Sequence, residues 1–298
     1  MKPRHASHPY LFVAPTVAVL FLFFVYPLLI ALKNSFYSWD LLTPPRYVGL
    51  SNYTTIAESG DLAAVAWRTL SFGAVVVVAS TALGLALAVA LNRRGRVYAF
   101  VRGAVFSAYV VSWVAVALLW MWILDGEAGL VTRMLRAVDM PTMNWLGDPR
   151  SALWAIALVT VWKITGYAMV VYLAGLQAIP DAWLEAAALD GAGPWQRFKE
   201  VIWPSLRPTT AFVATTGLIM SFQAFDVIRV MTQGGPARST TLFVYAIYED
   251  VFQNLRVGRA SAWVIVFFFI LMACSSFTLR SFGARRSRTG PPAEKEAA

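Results

Sequence analysis

This 298-residue chain is poor in the side chains that do most catalysis and metal binding: it has one cysteine and two histidines, and only 14% of its residues are charged. The lone Cys274 lies inside an apolar run, which excludes a disulfide framework and a cysteine metal site. His5 and His8 both fall in the N-terminal tail, and no H-E-x-x-H stretch occurs. No set of nucleophile, base and orienting group is apparent either. A phosphate-cradling G-x-x-x-x-G-K-S/T loop is missing, so the chain by itself does not hold ATP in that manner. These absences weigh against a catalyst, and they leave no expected metal or cofactor. There is also no visible internal repeat.

What the sequence has in quantity is apolar surface. At 58% hydrophobic residues, a soluble fold of this length would have nowhere to put it. Runs of about twenty residues, the length a helix needs to cross about 30 Å of hydrocarbon, occur at Leu11 to Leu32, Leu70 to Leu91, Ala104 to Leu124, Leu153 to Leu176, Ala211 to Val230 and Ala260 to Leu279. The first run lacks the short apolar core and small-residue cleavage site of a signal peptide, so it reads as a retained span. The expectation is an all-α, polytopic integral membrane protein with six transmembrane helices.

The net charge of +9 does not point to nucleic acid, because the arginines sit at the ends of apolar runs rather than on one polar face. They orient the spans instead. With the N-terminus inside, fourteen of the 25 basic residues lie inside and ten outside, with Lys163 within the fourth span. The short connection Asn92 to Gly103 decides more: it holds Arg93, Arg94, Arg96 and Arg102 and no acidic residue. The tail, with Arg285, Arg286 and Arg288, agrees. Both termini are thus expected in the cytoplasm of a multi-pass cell-membrane protein.

The longest polar interruption with helix punctuation at both ends is Pro180 to Pro208. Asp181 is a good N-cap for a short helix over Ala182 to Leu189, which Asp190-Gly191 stops. Gly193-Pro194 then opens a second helix, Trp195 to Ile202, expected to end before Pro204. Glu185, Ala186, Ala187, Asp190, Gly191, Ala192, Phe198 and Pro204 fall in the register of the EAA loop of permease subunits of binding-protein-dependent ABC importers, which the chain therefore resembles. Val201 and Trp203 depart from that pattern, where isoleucine and leucine are usual. The outer segments resemble the sugar-type branch, typified by maltose and glycerol-3-phosphate permeases, at Tyr47-Val48-Gly49-Leu50-Ser51-Asn52-Tyr53, at Asn144-Trp145-Leu146-Gly147-Asp148 and at the turn Gly234-Gly235-Pro236, which leads into an expected interfacial helix over Leu242 to Phe252.

The resemblance implies a type I importer fold. Residues 1–67 would hold the tail, first span and first outer segment, 68–282 the permease core with its coupling loop at 180–208, and 283–298 a cytoplasmic tail disordered by composition. It also implies a sister permease in a heterodimer, two ABC ATPase subunits that carry out ATP hydrolysis, and an extracytoplasmic substrate-binding protein. In that role Gly191 approaches the ATPase closely and Glu185 forms an ion pair. Taken alone, Asp190-Gly191 reads as a helix stop and Glu185 as a solvated side chain.

Polar groups within the spans are the other informative class. Lys163 and Tyr167 share a face of the fourth run, and Gln223 and Asp226 a face of the fifth, with Ser221 nearby. Ionisable groups at such depth face a wet cavity or a partner. These five residues are candidates for a path that hydrogen-bonds a hydroxylated substrate; a structural Lys163–Asp226 ion pair, or snorkelling to the outer headgroups, is the competing reading. Of the twelve tryptophans, Trp39, Trp67 and Trp145 read as interfacial anchors. Trp120, Trp122 and Trp162 lie deeper, as packing or cavity lining. A sugar is the expected substrate and glycerol 3-phosphate the alternative. A secondary carrier and a membrane-embedded enzyme are further readings, the first lacking a repeat or coupling-ion site, the second the catalytic side chains.

Overall fold

In hydrocarbon every backbone N–H and C=O must find its partner within the chain, so the apolar runs become helices. The computed structural model describes residues 8–282; the expectations for 1–7 and for the 283–298 tail lie outside the described residues. In chain order the elements are α1 (His8–Leu20), α2 (Tyr26–Asn34), β1 (Tyr37–Ser38), β2 (Arg46–Tyr47), α3 (Ser51–Glu58), α4 (Asp61–Leu91), α5 (Arg96–Val110), α6 (Trp113–Ile123), α7 (Leu130–Ala137) and α8 (Ala152–Gln177). They continue with α9 (Asp181–Leu189), α10 (Pro194–Arg197), α11 (Trp203–Phe222), α12 (Asp226–Met231), α13 (Phe243–Tyr248) and α14 (Val257–Phe282).

Among the described residues, five helical stretches are long and apolar enough to cross a bilayer: Phe12–Asn34, Asp61–Leu91, Ala152–Gln177, Pro194–Met231 and Val257–Ser281. The expected third span, Ala104 to Leu124, is not one straight helix. It is the pair α5 and α6, broken after Val110 and bent by 100°, and it makes a sixth span only if that pair is taken together.

Two prolines, Pro27 and Pro204, are absorbed in continuous rods. A π-helical turn, Phe21–Val25, joins α1 to α2 two residues before Pro27, and another, Phe198–Ile202, joins α10 to α11 two residues before Pro204. A proline ring meets the carbonyl four residues back. The widened turn moves that carbonyl aside and bonds to the one five back, as Trp203 N–H does with Phe198 O. The second loop helix therefore does not end before Pro204. It runs on into the span.

The chain divides into two compact units. One comprises, within the described residues, 8–68 and 241–270. Its core is Ile56, Val65, Phe243, Ala246, Ala262 and Trp263. Asn52 Nδ2 donates to Ser35 O (2.8 Å) and Tyr37 O (3.0 Å), and Tyr53 Oη donates to Ser35 Oγ (2.7 Å). The Asn-Tyr pair of the outer motif thus folds its own segment. Val257 N–H closes on Trp39 O (2.9 Å). Beside it the buried Asp250 accepts from Arg259 Nε (2.7 Å) and Nη2 (2.9 Å), Trp263 Nε1 (3.1 Å) and Asn254 Nδ2 (3.1 Å), so the buried charge is fully partnered.

The other unit comprises, within the described residues, 69–240 and 271–282. Its axis is α8, most of whose apolar window is buried, with α5 and α11 packed against it. Glycines permit the close approach: a Cβ on Gly166 would lie 2.5 Å from Val105 O, and one on Gly84 2.6 Å from Ala168 Cβ. The core gathers Ala88, Met169, Tyr172, Leu173, Leu206 and Val213.

Candidate functional site

The residues of the 180–208 loop form a compact surface structure. Pro180, not Asp181, is the N-cap of α9, and Asp181 opens its first turn. At its end Ala192 N–H bonds to Ala187 O (2.9 Å) and Gly191 N–H to Ala188 O (3.1 Å). That is the Schellman pattern, and it requires the left-handed residue that Gly191 supplies at φ +81°. The spacing between the alanines and Asp190-Gly191-Ala192 is therefore a helix and its stop. Gly193 then N-caps α10, its N–H donating to Gln196 Oε1 (3.0 Å), with Pro194 at the first helical position. Phe198 is half-buried and stacks on Trp195 at 5.6 Å.

Within the chain nothing lies within 4 Å of a Cβ placed on Gly191, so its backbone conformation, not internal crowding, demands glycine there. Glu185 and Ala186 are exposed, and Glu185 has no partner among the described residues. Leu189, the last residue of α9, is 89% exposed, and Trp195 is exposed as well. Sequence reasoning did not single out Leu189, since a leucine inside a helix-forming run reads as packing.

The second site is a cavity of about 720 Å³ that brings together Lys163, Gln223 and Asp226. It lies where two helix breaks face each other: Val111-Ser112 between α5 and α6, and Gln223 to Phe225 between α11 and α12, with α6 and α12 in contact. Irregular backbone at membrane depth is tolerated where it lines such a cavity. Gln223 and Asp226 are exposed to it.

Lys163 is 1% exposed and differently engaged. Its Nζ donates to Ala108 O (3.1 Å), Tyr109 O (3.0 Å) and Val111 O, and lies 4.8 Å from the Trp113 ring centroid. The ammonium therefore supplies the donors that the final carbonyls of α5 lose at the break, where the helix dipole favours a cation. Among the described residues no ion pair joins it to Asp226.

Tyr167 stacks on the cavity-lining Tyr109 at 5.1 Å, one layer behind the wall. Ser221 is buried with its hydroxyl donated to Leu218 O (2.8 Å), so it does not line the cavity. Of the deeper tryptophans, Trp120 and Trp162 pair edge to face at 5.7 Å and Trp122 is exposed; Trp162 lines a separate apolar groove. Trp113, which sequence reasoning did not single out, is the one on the polar cavity. The Asn144 to Asp148 motif is a turn in which Asn144 Oδ1 accepts from Gly147 N–H (2.9 Å).

Long apolar helices, a protruding helical knob and a polar cavity at paired helix breaks define a membrane permease. Residues 80–289 match the family model described as the binding-protein-dependent transport system inner membrane component, and the chain belongs to that family of ABC importer permeases. It is 31% identical over 274 residues to the sn-glycerol-3-phosphate transport system permease protein UgpA of Agrobacterium fabrum, covering 91% of this chain and 93% of that protein. It is also 31% identical over 280 residues to UgpA of Yersinia pestis, at 91% and 92% coverage. The crystal structure of a bacterial ABC transporter involved in import of the acidic polysaccharide alginate contains a chain of the same fold, with TM-score 0.78, 24% identity and coverage of 92% and 94%.

Proposed function

We propose that this permease forms half of an ATP-driven import path, paired with a related but different sister permease, with two separate ATPase subunits docked on the 180–208 loop. An extracytoplasmic binding protein delivers substrate to the opposite face, and both termini are cytoplasmic. Residues 68–282 act as the permease core, 1–67 as an added span and outer segment. Closure of the ATPases on ATP drives alternating access through Glu185, Ala186, Ala187, Asp190, Gly191, Ala192, Phe198 and Pro204, with Glu185 in an ion pair. The observation that carries this reading is the exposed apolar tip at Leu189, held out by a capped turn beside the unpartnered Glu185. The test is a pull-down from native membranes of wild type beside Gly191→Asp. Wild type should retain an ATPase that the variant loses while both keep a sister permease; no ATPase with either sample refutes the assignment.

The substrate is a neutral sugar or polyol whose hydroxyls meet Gln223 and Asp226, with Lys163 holding the carbonyls of the wall and Tyr167 and Ser221 acting from behind it. In its favour, the cavity exposes a carboxylate and an amide, while its only lining cation is already committed to three carbonyls. The relatives named for sn-glycerol 3-phosphate favour that phosphate ester as the second reading. Competition of labelled disaccharides and sn-glycerol 3-phosphate for uptake in proteoliposomes containing the full importer decides between them: displacement by the ester alone replaces the sugar reading.

A further inference from the structure

The four residues between α4 and α5 are Asn92, Arg93, Arg94 and Gly95. Arg102 closes this joint, its Nη1 donating to Leu91 O (2.8 Å), a carbonyl left over at the end of α4, and to Arg93 O (3.1 Å) in the joint itself. Arg93 lies 5.9 Å from the Tyr98 ring centroid, with Nη1 donating to Tyr98 Oη (3.3 Å). Arg94 is exposed and has no partner among the described residues. All three arginines line a cavity of about 500 Å³ whose far wall includes Gln177 at the end of α8 and Asp181 at the start of α9. Three cations thus face one carboxylate. Farther along the same three helices runs an apolar groove of about 520 Å³, lined by Leu87, Val101 and Trp162 among others.

We infer that the arginine cavity at the α4–α5 joint binds the phosphate of an anionic phospholipid, one of whose acyl chains lies in the apolar groove. The joint sits at the ends of membrane-crossing helices, the level at which lipid phosphates lie. Guanidinium groups are the side chains best shaped for phosphate oxygens, and Arg94 is uncommitted. A free anion or an acidic protein surface uses the arginines but has no use for the groove. Orientation of the spans accounts for the number of arginines; it does not account for their convergence on one cavity beside an apolar trough. The inference rests on the arginines of the α4–α5 joint and on the groove along α4, α5 and α8; α9 adds Asp181 and Leu184 to the cavity wall.

The test is native mass spectrometry of the purified complex after reconstitution in mixed phosphatidylethanolamine and phosphatidylglycerol and stringent washing. Wild type should retain phosphatidylglycerol selectively. Arg93→Gln with Arg94→Gln should weaken retention about fivefold for each charge removed, while Lys at both positions keeps most of it. Inorganic phosphate in excess should not displace the lipid. Equal retention by the double Gln variant overturns the proposal. Displacement by inorganic phosphate makes the site one for free anions, and loss of another protein subunit with lipid retained makes it a protein contact; either result overturns it. Should the double variant fail to fold, Arg94→Gln alone reads the same effect at one charge.

Discussion

Lys163 has carbonyls rather than a carboxylate for partners, and that sets what its removal does. In Lys163→Met the carbonyls of Ala108, Tyr109 and Val111 lose a charged donor in a buried place. Hydrogen bonds from charged donors contribute about 1.5–3 kcal/mol each, and some relaxation is available, so a loss of about 3 kcal/mol is expected in thermal unfolding followed by tryptophan fluorescence. Asp226→Asn should behave oppositely. Asp226 is exposed to the cavity and unpaired with Lys163, so stability should stay within about 0.5 kcal/mol while uptake falls. Equal destabilisation by both variants would restore an ion-pair account. Gly258→Ala is a third case: its Cβ would run into Tyr37 O, a backbone atom that cannot swing away. Overpacking of about 2 kcal/mol or more should appear as faster proteolysis of the outer segment around Tyr37 and Val257.

Among the elements, length and apolarity made the spans legible, and the Gly191 stop was legible because left-handed backbone and helix-ending hydrogen bonds call for a particular residue type. The break between α5 and α6 was not. Val110-Val111-Ser112 contains neither proline nor glycine, and the run is apolar on both sides. The feature that stabilises the break is the amine of Lys163, more than fifty residues downstream, whose meaning depends on α5 lying against α8. Pro204 misled in the other direction: it lies inside a continuous rod because a π-helical turn precedes it, and no local residue type announces such a turn. Gly166, at the α5–α8 contact, gives the test at this scale. A methyl there meets Val105 O at 2.5 Å and Phe106 Cα at 3.1 Å, so Gly166→Ala should force the helices apart at a cost of about 2 kcal/mol. The shift should also reach the cavity, since Phe106 and Lys163 both line it; a lowered unfolding temperature together with altered substrate affinity is the expected pair of results.

For the molecule as a whole, the family was legible because the 180–208 loop fixes many residue types at once, whereas the substrate was not, because the cavity groups are generic donors and acceptors. Leu189 belongs at this scale. An apolar side chain exposed to 89% on a capped turn gives this chain no packing energy, so its value lies in what it meets outside. Leu189→Glu should therefore leave the unfolding temperature of the purified permease unchanged, yet abolish ATPase co-purification and uptake together. Gly191→Ala, which strains only a left-handed residue in open space, should weaken the same coupling by about 1 kcal/mol. In vesicles loaded with ATP and depleted of ion gradients, wild type should accumulate substrate and Leu189→Glu should not. If instead uptake follows an imposed proton gradient and ignores both ATP and the Leu189 substitution, the knob is not a coupling element and the chain works as a self-contained carrier.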